Sequence, residues 1–229
     1  MTDAVVSPRP SKVALTAADG HALSAWSARP AGRPKGGVVV LHAVYGATAH
    51  IGQVCARWAA AGYSAIAPAL FDRLGQDIVH PYDRPQAGVA SYAALAAAAL
   101  YADIEAAAAA AGRAGEVAIC GFCTGGSWAW RAAARMPFAA QVNFYGSHVP
   151  ALLDLAPRCP TILHYGDRDV LAPREAIEDI RARRPAVELH VYPGAGHAFE
   201  NVEQASYDAA AADLAWQRSI AFLDRHVAT

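Results

Sequence analysis

Residues 37–41 read GVVVL, with Val38, Val39 and Val40 in direct succession. Successive side chains of a strand point to opposite faces of its sheet, so this run presents apolar groups to both. Such a strand must be covered above and below, which excludes an open sheet with one wet face. The rest of the chain supplies the cover. ATAHIGQVCARWAAAG shows helical spacing and stops at Gly62, and YSAIAPAL is a second short buried strand. A long alanine-rich helix is expected from about Ser91 to Gly112, followed by the strand EVAIC and a helix after Gly125. Strands AAQVNFY and PTILHYG, a helix from Pro173 to Arg184, strand VELHVYP and a closing helix from about Tyr207 to Arg225 complete the series. KVALTA and HALSAWSA flank the turn signal ADG and read as an antiparallel hairpin. Phe71 to Pro85 is polar and broken by prolines, hence a surface excursion. The expected fold is α/β: a mostly parallel twisted sheet, helices on both faces and an N-terminal antiparallel hairpin. A chain of 229 residues fits a single domain, residues 1–229, with 1–10 expected as a flexible N-terminal segment.

Charge and composition narrow the function classes. Lys and Arg number 19 against 20 Asp and Glu, which removes the electrostatic attraction that nucleic acid or an anionic membrane requires. The longest apolar tract is mostly alanine and is interrupted by Asp103 and Glu105, a poor membrane span. The N-terminus has Asp3 and two prolines where a signal peptide needs an apolar core. Four cysteines without such a signal fit a reducing cytoplasm. A cytoplasmic protein acting on a small molecule is therefore expected, as a monomer or small homo-oligomer.

In open α/β sheets reacting groups gather at the carboxyl ends of the strands. Val44 to Gly46, Arg73, Cys123, Tyr145, Asp169 and His197 each follow a predicted strand. Among these stands CGFCTGG, residues 120–126, open to three readings. A structural zinc site wants a second close ligand pair, and Cys55 and Cys159 are isolated from each other. A redox dithiol is built as C-x-x-C at a strand-to-helix junction, although Cys120 also reads simply as the buried end of its strand. The third reading takes Gly121-Phe122-Cys123-Thr124-Gly125 as a G-x-nucleophile-x-G elbow with cysteine in the serine position. Glycines give the strand and helix room to approach, and the helix N-terminus favours a thiolate. Asp169 in GDRDVLAP and His197 in GAGHAF then complete the chain order nucleophile, acid, histidine. His50, His80, His148, His164 and His190 fall in no constellation and read as structural or surface residues.

With these motifs the chain resembles the dienelactone hydrolase family, the cysteine-nucleophile branch of the α/β-hydrolase superfamily. GFCTGG, GDRD and GAGHAF carry the resemblance, with weaker matches at VYG (44–46), LFDR (70–73) and FYG (144–146). It implies an α/β-hydrolase-like fold and hydrolysis of a small ester or lactone, of the dienelactone or carboxymethylenebutenolide kind, through a thioester. Cys123 would attack, His197 would take its proton and Asp169 would orient His197. The backbone N–H groups of Val44 and Thr124 would form the oxyanion hole, with Arg73 and Tyr145 at the substrate. No cofactor and no metal is implied. Two positions depart from the family pattern. Ala43 stands where family members carry a glutamate in the oxyanion loop, and Asn201 stands in the region of a second substrate-gripping arginine. His42 beside Ala43 should point the opposite way, and Glu200 would repel an anion if it faced inward. A neutral substrate is thus at least as well suited as an anionic lactone. A binding protein that keeps the pocket without turnover, and a redox protein using Cys120 and Cys123, are the alternative classes.

Overall fold

The computed structural model describes residues 8–227. Its strands are β1 (Ser11–Thr16), β2 (Ala22–Ala28), β3 (Gly37–Leu41), β4 (Ser64–Pro68), β5 (Val117–Phe122), β6 (Ala140–Phe144), β7 (Thr161–Gly166) and β8 (Glu188–Tyr192). They form one eight-stranded sheet in the order β1-β2-β4-β3-β5-β6-β7-β8. β2 pairs antiparallel with β1 and with β4, and every other pairing is parallel. Ser11 lies opposite Ser27 and Thr16 opposite Ala22, so the expected hairpin is present, its turn closed by Gly20 at φ +85°. Most of the segment expected to be flexible, residues 1–7, lies outside the described residues.

The helices are α1 (Ala49–Ala60), α2 (Pro85–Ala94), α3 (Ala97–Gly112), α4 (Thr124–Arg135), α5 (Arg174–Arg183) and α6 (Ala209–His226). All five residues of β3 are buried, and their alternation divides the core. Val38 and Val40 join Trp58 of α1 and Trp216 of α6 on one face. Val39 and Leu41 join Leu100 and Ile104 of α3 and Ala132 of α4 on the other. Each such side chain stabilises the fold by roughly 1.5–3 kcal/mol relative to exposure.

The alanine-rich stretch is not the single helix expected from Ser91. α2 already begins at Pro85, and the chain breaks at Leu95 and Ala96, which are extended, before α3 turns away by 96°. Neither glycine nor proline marks the break, because its cause is tertiary. α3 lays Leu100, Ile104, Ala107 and Ala111 on the sheet. α2 instead crosses the carboxyl ends of the strands, where the Tyr92 hydroxyl donates to the His42 carbonyl at 2.7 Å. Gly88 of α2 sits so close to the loop after β3 that a Cβ there would lie 1.8 Å from the Val44 carbonyl oxygen. One straight helix could not satisfy both surfaces. Among the described residues no single helix is long and apolar enough to cross a membrane.

Candidate active site

β5 ends at Phe122 and α4 begins at Thr124, which leaves Cys123 alone to make the turn. It does so at φ +53° and ψ −119°, a strained conformation for a residue with a Cβ. The neighbours must be glycine. A Cβ on Gly121 would stand 2.3 Å from the Gly125 carbonyl oxygen, and one on Gly125 would stand 2.4 Å from those of Leu41 and His42. Hydrogen bonds hold the turn: Cys123 N–H donates to Phe144 at 3.0 Å, and the Cys123 carbonyl accepts from Ser127 and Ser147 N–H at 3.2 and 3.4 Å.

Asp169 and His197 come from the loops after β7 and β8. The buried Asp169 accepts from Leu171 N–H through Oδ1 at 2.9 Å and pairs with His197 Nδ1 through Oδ2 at 2.8 Å. That contact fixes the ring and leaves Nε2 for the thiol. Nε2 is buried and has no partner at strict hydrogen-bond geometry among the described residues. The thiol is nevertheless close enough for each group to shift the other, and such contacts are often loose before substrate binds. Burial pushes the Cys123 thiol up, but the hydrogen bond and charge of His197, with Ser147 and Thr124, outweigh it and hold the thiol below its ordinary value. Burial likewise disfavours charge on His197, yet Asp169 and Cys123 raise it to about 10. Both directions describe one thiolate–imidazolium pair.

A cavity of about 540 Å³ opens over this pair. Cys123, His197, Val44, Thr124 and Tyr145 line it, together with Ala43. Tyr145, at φ +42°, stands edge-on to the His197 ring with centroids 5.0 Å apart. Its hydroxyl donates to Glu200 Oε2 at 3.2 Å. Glu200 does not face the cavity; it is buried behind it, accepting also from Trp216 Nε1 and pairing with His50 Nε2, both at 3.3 Å. His42 points away, as its place beside Ala43 predicts. Its Nδ1 contacts the Ala43 carbonyl, its Nε2 accepts from Leu70 N–H at 3.2 Å, and burial lowers it to about 4.

Arg73 must be corrected: it does not reach the cavity. Its Nε and Nη2 donate to the two oxygens of buried Asp103 at 2.8 Å each, and its Nη1 pairs with Asp19 at 2.8 Å. It sits on a 3-10 turn, Leu70–Arg73, directed toward α3 and the first hairpin. No Lys, Arg, Asp or Glu lines the cavity among the described residues. Cys120 is fully buried beside Trp58 and Cys55, and burial pushes its thiol well up, the opposite of a reactive dithiol member.

Sequence reasoning missed several lining residues. Ser147 and His148 lie three and four residues past the end of β6, so the strand-end rule carried two and three residues beyond Tyr145 would have found them. His50 on α1 and Tyr82 in the excursion after β4 also line the cavity, and no local signal marks them.

The family model of the dienelactone hydrolase family matches residues 23–227. An Escherichia coli K12 protein named "Putative carboxymethylenebutenolidase" is 33% identical, covering 90% of this chain and 84% of that protein. A Pseudomonas putida protein named "Carboxymethylenebutenolidase" is 29% identical over 92% of this chain and 94% of its own length. Among solved structures, a "Putative Dienelactone Hydrolase" from Klebsiella pneumoniae superposes with a TM-score of 0.79 at 30% identity, covering 94% of this chain and 99% of that one.

Proposed function

The chain belongs to the dienelactone hydrolase family, and from that premise we propose that it hydrolyses a small uncharged ester, lactone or thioester with Cys123 as nucleophile. One observation carries the reading. His197 is clamped to Asp169 through Nδ1, while its buried Nε2 is left to the cysteine that makes the strained turn. In the reaction the Cys123 thiolate attacks the carbonyl carbon, and the displaced oxygen or sulfur takes the proton from His197 Nε2 as its bond to that carbon breaks. The resulting thioester is attacked by water, whose proton passes to His197, and the thiolate departs as the acid is released. The backbone N–H groups of Val44 and Thr124 receive the oxyanion, donors worth about 3–4 kcal/mol each in the transition state. Thr124 opens α4, where its N–H has no intrahelical acceptor.

The preference for an uncharged substrate follows from the lining, which offers no guanidinium or ammonium group to a carboxylate. Ala43 and Asn201, both at the cavity, fit the same preference. These steps require no metal, cofactor or protein partner, and a monomer or small homo-oligomer in the cytoplasm accommodates them. Hydrolysis of p-nitrophenyl acetate under reducing conditions tests the nucleophile. Turnover by the wild type that disappears in Cys123→Ala is the expected result. Equal turnover in the two proteins would remove Cys123 from the mechanism. Ligand binding without any turnover in the wild type would favour the binding-protein alternative.

A further inference from the structure

A second polar chain reaches the Cys123 sulfur from the loop after β6. Cys123 Sγ is 3.8 Å from Ser147 Oγ, and Ser147 Oγ is 3.1 Å from His148 Nδ1. Both residues line the cavity, Ser147 half-buried and His148 exposed. Their loop is bolted to the nucleophile. Ser147 N–H donates to the Cys123 carbonyl at 3.4 Å, and His148 N–H donates to Ser127 Oγ at 2.9 Å. Ser127 Oγ in turn donates to the same Cys123 carbonyl at 3.4 Å. The backbone that carries the Ser147 hydroxyl is therefore tied to the elbow.

We propose that Ser147, oriented by His148, is a second positioning device for the nucleophile, donating its hydroxyl hydrogen to the Cys123 thiolate. The assignment rests on the reading of Cys123 as nucleophile and adds to it a source of thiolate stability outside the triad. The hydrogens balance in both states. In the thiol form Sγ–H donates to Ser147 Oγ, and Ser147 O–H donates to the lone pair on His148 Nδ1. In the thiolate form the cysteine proton resides on His197, Ser147 O–H turns to Sγ, and His148 donates Nδ1–H to Ser147 Oγ. The exposed His148 ring exchanges the hydrogen it needs with water. A sulfur anion gains more from such a donor than a neutral thiol does, because hydrogen bonds to charged groups are the stronger kind.

The groups facing Sγ from each packed element are few. His197 comes from the loop after β8, Tyr145 and His148 from the loop after β6, Tyr45 from the loop after β3, and Tyr92 from α2. Burial raises the three tyrosines, so they stay neutral across the working range and leave His197, the Thr124 hydroxyl at 3.9 Å and the Ser147–His148 chain to govern the thiol.

The test is the rate of Cys123 alkylation by iodoacetamide from pH 4 to 10, read at the Cys123 peptide by mass spectrometry. A Cys159→Ser background removes the one free cysteine that is not buried. Ser147→Ala is expected to move the midpoint upward by about one pH unit. Ser147→Thr, which keeps the hydroxyl, should restore the wild-type profile, and the exposed His148→Ala should shift it part of the way. A Ser147→Ala profile that overlays the wild type would overturn the proposal. So would a Ser147→Thr profile displaced as far as that of Ser147→Ala, since packing and not the hydroxyl would then be responsible. Should Ser147→Ala not fold, the His148→Ala profile decides, and an unmoved midpoint there overturns the proposal. Esterase activity surviving Cys123→Ala is a separate failure, that of the nucleophile reading, and leaves the alkylation profiles interpretable.

Discussion

Cys123 carries backbone strain and a displaced proton equilibrium at the same position. Its positive φ costs about 1–3 kcal/mol by itself, and the hydrogen bonds to Phe144, Ser127 and Ser147 hold it there. The sign of the pH dependence follows from the directions of the two shifts. His197 is raised from 6.5 to about 10, so its favourable charge interactions are complete below pH 6.5 and fade as pH rises through about 10. The thiol is lowered from 9.0, so its interactions are complete above pH 9 and fade as pH falls through the lowered value. In the proposed mechanism the ion pair acts between the two limits, and kcat/KM for a neutral ester should plateau there, with the alkaline limb near 10. Asp169→Asn should lower kcat by about 10³–10⁴-fold. It should also draw the alkaline limb to lower pH, since the hydrogen bond to Asp169 is the largest single influence raising His197. An alkaline limb left in place by that substitution would show that another group sets it.

At the level of elements, the site depends on three close approaches. β5 and α4 meet at Gly121 and Gly125, α4 meets the end of β3, and α2 meets the loop after β3 at Gly88. A Cβ at Gly125 would press on the Leu41 and His42 carbonyls, and no flexible side chain is present to give way. Gly125→Ala should therefore destabilise the fold by about 3 kcal/mol or more, measured by the midpoint of urea unfolding. Gly88→Ala has a different outcome, because α2 can lift away from Val44 without unmaking the sheet. It should leave the far-ultraviolet circular dichroism intact while kcat falls about tenfold, the size of one mispositioned oxyanion donor in part. Full activity in a folded Gly88→Ala protein would mean that α2 does not position the oxyanion loop.

Over the whole molecule, the Arg73 guanidinium clamps the first hairpin, the 3-10 turn after β4 and α3 together through Asp19 and Asp103. Asp103 is fully buried, so removing its partner leaves an uncompensated carboxylate in the interior. Arg73→Ala should cost about 3–5 kcal/mol of unfolding free energy. Burial is already the largest influence on Asp103 and raises it, so the deficit should narrow as pH falls and the carboxyl takes up a proton. The ratio of kcat/KM for anionic and neutral esters should not change in that variant, because Arg73 lies outside the cavity. A selective loss of anionic turnover would restore a substrate role to Arg73.

Local periodicity and chain order carry much of this architecture. The two-faced burial of Val38 to Leu41 demanded a sheet covered on both sides, and the glycines around Cys123 announced a turn that nothing larger could make. Asp169 and His197 were legible because each stands in the loop that follows a strand, β7 and β8, and strand ends in a parallel sheet share one rim. Tertiary structure alone decided the rest. The break at Leu95 and Ala96 has no local signal, for it reconciles two separate surfaces that α2 and α3 cover. Arg73 pairs with Asp103, 30 residues away, and His50 with Glu200, 150 residues away. A charged side chain takes whichever partner the packed elements bring within reach, and that choice is made by geometry that neighbouring residues do not encode.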